Sequence, residues 1–112
     1  MNSNDGELRA KIEIHKDLCE FIHNLYETKN SDYGDSMHPL YEEYGLTAFL
    51  ILFSIKINRI KSLMNKENAN YESLEDSLMD LANYSLIAIT EIKNERNKKK
   101  AQECRNLGCG EN

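Results

Sequence analysis

The chain has 112 residues, of which 40% are hydrophobic and 29% charged, and its formal net charge is −5. This length predicts a single domain with one modest core. An acidic chain lacks the basic face that duplex-DNA binders usually present, so nucleic acid is not expected as a partner. The longest apolar run, LTAFLILFSI, is far shorter than the ~20 residues that cross a bilayer, so no membrane contact is expected. The first residues contain no apolar stretch of a signal peptide, and a cytoplasmic protein is expected.

The first predicted element is an amphipathic helix over residues 7–28, after a disordered N-terminus at residues 1–6. Its apolar residues recur at steps of three and four, the spacing of one helix face. That face consists of Leu8, Ile12, His15, Cys19, Ile22 and Tyr26. The next segment, KNSDYGDSMHP, is rich in Asn, Ser, Asp and Gly, which predicts a loop of about ten residues.

The second predicted helix runs from about residue 39 to residue 66, with Pro39 in its first turn. Its predicted core face consists of Leu46, Phe49, Leu50, Phe53, Ile57, Ile60 and Met64. A second apolar face lies on the other side and consists of Ala48, Ile51, Leu52 and Ile55. A chain this small cannot wrap both faces of one helix, so the sequence predicts a subunit interface that buries the second face.

The third predicted helix begins at about residue 70 or 71 and continues to about residue 97. The polar segment at residues 98–112 either extends this helix into solvent or is disordered. The predicted fold is therefore all-α. It has three main helices in one domain at residues 7–97, and they form a bundle that homo-oligomerisation completes.

Four polar residues form one stripe on the third predicted helix: Glu72, Asp76, Asp80 and Asn83. At about 100° per residue they fall within about 80° of one another, among apolar neighbours. Burying uncompensated carboxylates costs free energy, and a divalent cation offsets that cost. Oxygen-only ligands favour Mg²⁺ or Mn²⁺ over zinc. The alternative is a solvated stripe whose first residues interact favourably with the helix dipole.

Two basic residues of the second predicted helix form a candidate phosphate site. Lys56 interrupts an apolar run, and Arg59 follows on a face about 60° away, so both can reach one phosphate group. The alternative is that their side chains extend from a half-buried helix to solvent, or pair with carboxylates across the bundle.

Four segments in this order, KNSDYGDS, YEEYGL, IKINRIKSL and ESLEDSLMDLANYSLIAI, resemble the phage and bacterial family called nucleotide modification associated domain 1. The resemblance covers about residues 29–92. That family is grouped with the all-α nucleoside triphosphate pyrophosphohydrolases, the MazG and dimeric dUTPase class. The resemblance implies a MazG-like helical fold that assembles into dimers or tetramers. It also implies Mg²⁺-dependent hydrolysis of a nucleoside triphosphate to the monophosphate and pyrophosphate.

In that class, carboxylates from two helices hold the metal, which binds the phosphates and activates water. With the resemblance, the expected metal ligands are Glu43, Glu72, Asp76 and Asp80, of which Glu72 and Asp76 also act in catalysis. The expected substrate contacts are Lys29, Asp32, Tyr33, Lys56, Arg59 and Asn83. The class shows ExxE on one helix and ExxD on the next, whereas this chain has only the adjacent Glu42 and Glu43 on the earlier helix.

Asp32 and Tyr33 have two interpretations. In the functional one, Asp32 faces the metal or a phosphate and Tyr33 stacks on a base. In the other, the segment is a turn that Asp32 begins, and Tyr33 covers the edge of the core.

Two other functions stay open beside the pyrophosphohydrolase. One is a nucleotide-binding protein that senses or sequesters nucleotides without turnover. The other is a helical interaction protein whose acidic stripe is solvated. Metal dependence separates the first two functions from the third, and pyrophosphate release separates the enzyme from the binding protein.

Overall fold

A computed structural model describes residues 3–33, 35–66 and 70–108 of the chain. Within them are four α-helices and no strand, so the predicted all-α class is confirmed. The helices are α1 (Ser3–Tyr33), α2 (Met37–Tyr44), α3 (Leu46–Met64) and α4 (Tyr71–Asn106). They belong to two compact units, Met1–Ser36 and Met37–Asn112, so that α1 lies in the first unit and α2, α3 and α4 lie in the second.

Helix α1 is longer than the sequence predicts at both ends. It begins at Ser3, inside the segment expected to be disordered, and continues to Tyr33. The predicted loop of about ten residues is therefore wrong, since its first half is helical. Asn, Ser and Asp are weak helix formers, but each costs only a fraction of a kcal/mol inside a helix that is already formed. Asp35, just beyond the helix, has a φ of 55°, a left-handed conformation that aspartate tolerates better than most residues.

The predicted second helix is divided in two at Gly45. This residue has φ 63° and ψ −148°, a backbone conformation that residues with a side chain rarely adopt. Its N–H donates to the carbonyl oxygen of Tyr41 at 2.8 Å and closes α2. A glycine inside an apolar helical pattern is often tolerated, so the pattern alone predicts one continuous helix. The chain direction changes at Gly45 instead, and α2 and α3 are separate helices.

Helices α3 and α4 pack against each other as an antiparallel hairpin, and α2 packs on both of them. Asn70 caps α4, because its side-chain oxygen accepts a hydrogen bond from the N–H of Ser73 at 3.1 Å. Helix α4 then continues to Asn106, so the first part of the polar tail extends the helix. No helix among the described residues is long and apolar enough to cross a membrane.

The packed side of α3 differs from the predicted core face. Phe49 and Leu63 are buried there, and Lys56 is half-buried on the same side. Four predicted core residues are exposed in the single chain: Leu46, Leu50, Ile57 and Met64. Because the middle of α3 is apolar almost all round, its periodicity does not decide which side meets α4. The exposed residues leave an apolar surface on the second unit.

Candidate functional site

An ion pair between α3 and α4 joins two of the predicted site residues. The Nζ of Lys56 lies 2.7 Å from Oδ2 of Asp80, and the two side chains are 21% and 39% exposed. The sequence assigns Lys56 to phosphate and Asp80 to a metal. The structure brings them together, as in the alternative interpretation of a lysine that pairs with a carboxylate across the bundle.

The other members of the acidic stripe extend from this ion pair along α4. Asn83 is buried less than one turn after Asp80. Asp76 and Glu72 lie one and two turns before Asp80, and both are exposed in the single chain. The interior environment that the sequence predicts for the whole stripe is therefore present at Asn83 and only in part at Asp80. The two exposed carboxylates have no burial cost that a cation must offset.

The remaining predicted residues lie on three different helices. Arg59 is exposed on α3, less than one turn after Lys56, and Glu43 is exposed on α2. Among the described residues, no ion pair connects Arg59 or Glu43 to α4. Lys29 is exposed on α1, in the first unit. The side chains of Asp32 and Tyr33 lie outside the described residues.

A second polar cluster, which the sequence analysis does not predict, lies between α2 and α4. It lines a pocket of about 510 Å³, which we call the α2–α4 pocket. The Nδ1 of His38 lies 2.8 Å from Oε2 of Glu91, a residue that is only 4% exposed. The Nε2 of His38 contacts Glu42, and the hydroxyl of Tyr41 donates to Oε2 of Glu95 at 2.5 Å. The contacts with Glu91 and Glu95 connect α2 to α4, whereas the contact with Glu42 lies within α2.

The electrostatics of the α2–α4 pocket favour a charged imidazole. The hydrogen bond to Glu91 has the largest effect and raises the pKa of His38, and partial burial, the next largest effect, opposes it. The negative charges of Glu91 and Glu42 raise this pKa further, and the positive charge of Lys98 lowers it slightly. The hydrogen bond from Tyr41 lowers the pKa of Glu95 and correspondingly raises the pKa of Tyr41. Because the positive imidazole is paired with the buried carboxylate of Glu91, this cluster serves as a structural connection between helices.

A signal for this cluster is present in the sequence. Glu91 follows Asp80 by about three helical turns, so both residues lie on the same face of α4. A carboxylate among the apolar residues of a packed face needs a partner, as Asp80 does. His38 cannot be identified as that partner from spacing, because the two residues are far apart in the chain.

This pairing predicts a pH dependence of folding stability. The folded chain holds the His38 proton more tightly than the unfolded chain does, where the pKa is near ~6.5. The contribution of the imidazole is therefore fully present below about pH 6.5 and is lost as the pH rises through the raised pKa of the folded state. Urea unfolding from about pH 5.5 to about pH 8.5 should show the stability difference between wild type and His38→Asn shrinking as the pH rises. A difference that is constant or that grows with pH contradicts the charged pairing.

The candidate site of this all-α protein therefore lies on the hairpin of α3 and α4. It consists of the ion pair of Lys56 and Asp80, the rest of the acidic stripe and the exposed Arg59. A family model for nucleotide modification associated domain 1 matches residues 29–92, which is more than half of the chain. The chain belongs to this family. The matched segment contains Lys56, Asp80 and Asn83 as well as His38 and Glu91. Comparison with curated proteins finds no match, and comparison with solved structures finds none either.

Proposed function

We propose that this protein is a Mg²⁺-dependent nucleoside triphosphate pyrophosphohydrolase of the MazG-like class, which converts a nucleotide to its monophosphate and pyrophosphate. The observation that carries the proposal is the ion pair between Lys56 of α3 and Asp80 of the acidic stripe of α4, within the segment matched to a nucleotide-associated family. A nucleoside triphosphate and its cation need both kinds of group. Carboxylates attract the cation, and basic side chains attract the phosphates.

The donor type of the stripe, carboxylate oxygen, is the type that magnesium and manganese ions prefer. Glu72, Asp76 and Asp80 offer carboxylate oxygens on successive turns of one helix face, and no thiol or imidazole lies among them. Glu43, exposed on α2, is the carboxylate proposed from the earlier helix. When bound, the cation would neutralise charge on the phosphates and lower the pKa of a coordinated water.

The polar side chains of the hairpin have separate proposed roles. Arg59 is exposed and offers a planar group with several N–H donors, which suits phosphate oxygens. Asn83 is buried next to the stripe, and its amide can orient a neighbouring carboxylate or accept a substrate hydrogen bond. Lys29, Asp32 and Tyr33 stay predicted nucleotide contacts, since they lie within the matched segment.

One observation favours a second candidate function, a nucleotide-binding protein without turnover. The charge of Asp80 is already neutralised by Lys56, so this carboxylate does not need a cation to be stable in the folded chain. The helix before α3 also has adjacent glutamates in place of the ExxE spacing of the enzyme class. Such a protein would sequester a nucleotide and release no product.

A panel of ribo- and deoxynucleoside triphosphates, incubated with the full chain and Mg²⁺ or Mn²⁺, tests the proposal. We expect equal amounts of monophosphate and pyrophosphate to be released from at least one nucleotide, and only when the cation is present. Calorimetry on the same panel measures binding independently. Binding without products supports the second candidate, whereas neither binding nor products would contradict both.

A further inference from the structure

Helix α2 has no buried face. None of its eight residues, all of which the structure describes, is buried. The ring of Tyr41 packs against Phe49 of α3, with 6.2 Å between the ring centroids. Two polar contacts join α2 to α4: His38 with Glu91 and Tyr41 with Glu95. A helix attached in this way opens locally at a lower free-energy cost than helices that bury apolar side chains.

The joint between α2 and α3 allows such an opening. Gly45 has φ 63° and ψ −148°, and apart from its chain neighbours no heavy atom lies within 4 Å of the position that a Cβ would occupy. The joint is therefore sterically open, and a glycine can change its dihedral angles at little cost. A change at this one residue would turn α2 as a rigid body and leave the hairpin of α3 and α4 as it is.

The contact of His38 with Glu91 is the part of the attachment that depends on a proton. Glu91 is only 4% exposed, so its carboxylate needs a close positive charge or hydrogen-bond donors. A charged imidazole has an N–H for Glu91 and another for Glu42, whereas a neutral imidazole has only one N–H. Loss of the proton therefore leaves the buried carboxylate with at most one neutral hydrogen bond from α2 and without a compensating charge.

We propose that α2 is a pH-controlled flap hinged at Gly45: protonated His38 holds it against Glu91, and loss of that proton favours an open state in which α3 and α4 stay paired. The contact of Tyr41 with Phe49 opposes opening at every pH, so the open state is a minor population whose size the proton sets. Opening uncovers Phe49, which is 1% exposed in the closed state. It is a local event, distinct from unfolding of the whole chain, and it does not depend on the proposed function.

The charges around His38 fix the direction of the pH dependence. The hydrogen bond to Glu91 raises the pKa of His38, partial burial lowers it, the charges of Glu91 and Glu42 raise it, and Lys98 lowers it. The chain places a further carboxylate, Asp35, three residues before His38. Because the net effect raises this pKa above about 6.5, the flap is held fully below about pH 6.5 and is released as the pH rises through the raised value.

The second polar contact does not titrate over the same range. Its hydrogen bond lowers the pKa of Glu95 and raises the pKa of Tyr41, so each group moves further from neutral pH. Between about pH 6 and about pH 9, Glu95 therefore stays ionised and Tyr41 stays protonated. A change in the attachment of α2 within this range is assigned to His38.

Hydrogen exchange of the full chain, followed by mass spectrometry of its peptides, tests the flap. Rates at each pH are divided by the intrinsic exchange rates at that pH, and the pKa of His38 is read from its ring-proton NMR signals. We expect the protection of α2 to fall about tenfold as the pH rises through this pKa, since a hydrogen bond to a charged group contributes more than a neutral one. The protection of α3 and α4 should not change over the same range.

A second histidine provides a matched control. His38→Asn should show the low protection of α2 at every pH. His23→Asn removes an imidazole that pairs with Glu27 within α1, so its α2 should follow wild type. A protection of α2 that is independent of pH in wild type overturns the flap, and so does an equal loss of protection in α2, α3 and α4, which indicates unfolding of the whole unit. If His38→Asn does not fold by circular dichroism, the wild-type pH series alone decides between these results.

Discussion

Asp76→Asn should abolish both the response to divalent cations and the release of pyrophosphate. Asp76 lies on the acidic stripe of α4 and is exposed, so the substitution removes a proposed metal ligand without leaving a cavity or a buried charge. We expect wild type to melt at a higher temperature with Mg²⁺ or Mn²⁺, because a ligand that binds only the folded chain stabilises it. The variant should show no such rise. Its turnover should fall by about 100- to 1000-fold, the loss typical of removing one electrostatic contact to a transition state.

The neighbouring glutamate provides a matched control for Asp76→Asn. Glu75 is also exposed and loses the same charge in Glu75→Gln, but its side chain points about 100° away from that of Asp76. This control should keep the cation response and the turnover of wild type. If both variants lose the response equally, the effect comes from overall charge. A wild-type melting temperature that ignores divalent cations contradicts the metal assignment of the stripe.

Arg59→Ala should impair nucleotide binding and not the response to the cation, because Arg59 is proposed to contact phosphate and not the cation. The cation response should persist, while nucleotide affinity should weaken by roughly 1.5–3 kcal/mol, the contribution of a hydrogen bond to a charged group. Lys61→Ala, at an exposed position of the same helix, serves as its control. Unchanged nucleotide affinity in Arg59→Ala would direct the search for the phosphate site to Lys29.

The helical hairpin is the part of the fold that the sequence predicts best. The long apolar run in α3 and the capped, patterned segment in α4 each extend over several helical turns, and segments of this length are typical of helices and not of strands. The break between α2 and α3 depends on the backbone conformation of one residue, Gly45, whose φ is 63°. The spacing of apolar residues does not predict this conformation. The extent of α1 depends on weak helix formers, whose small preferences are overridden easily.

The positions of the polar residues along α4 could be predicted from the sequence, whereas their partners on other helices could not. Spacing along α4 places Asp76, Asp80 and Asn83 on one face, because that geometry is internal to a helix. The contact of Lys56 with Asp80 depends instead on the offset of α3 relative to α4 along the helix axis. The spacing of residues within either helix does not determine this offset. For the same reason the pair of His38 and Glu91, from helices far apart in the sequence, was missed.

The apolar outer side of α3 should be a subunit interface. Ile51 and Ile55 are 57% and 56% exposed in the single chain, and Leu50 next to them is exposed too. Ile51 and Ile55 lie one turn apart on one side of α3, and large apolar side chains exposed in this way are typical of a protein–protein contact. Light scattering at about 50 micromolar should therefore show a homo-oligomer, since interfaces of standard size have dissociation constants of micromolar or below.

The double variant Ile51→Glu/Ile55→Glu should be monomeric under the same conditions. Burying an isoleucine side chain contributes about 1.5–3 kcal/mol, so losing two weakens the assembly by at least about 100-fold, and burying the two new carboxylates would weaken it further. Because both positions are exposed in the single chain, its helix content by circular dichroism should be unchanged. Met64→Glu/Leu107→Glu adds the same charges at exposed apolar positions near the ends of α3 and α4 and should leave the oligomer intact. A monomeric wild type, or equal dissociation of both double variants, would contradict this interface.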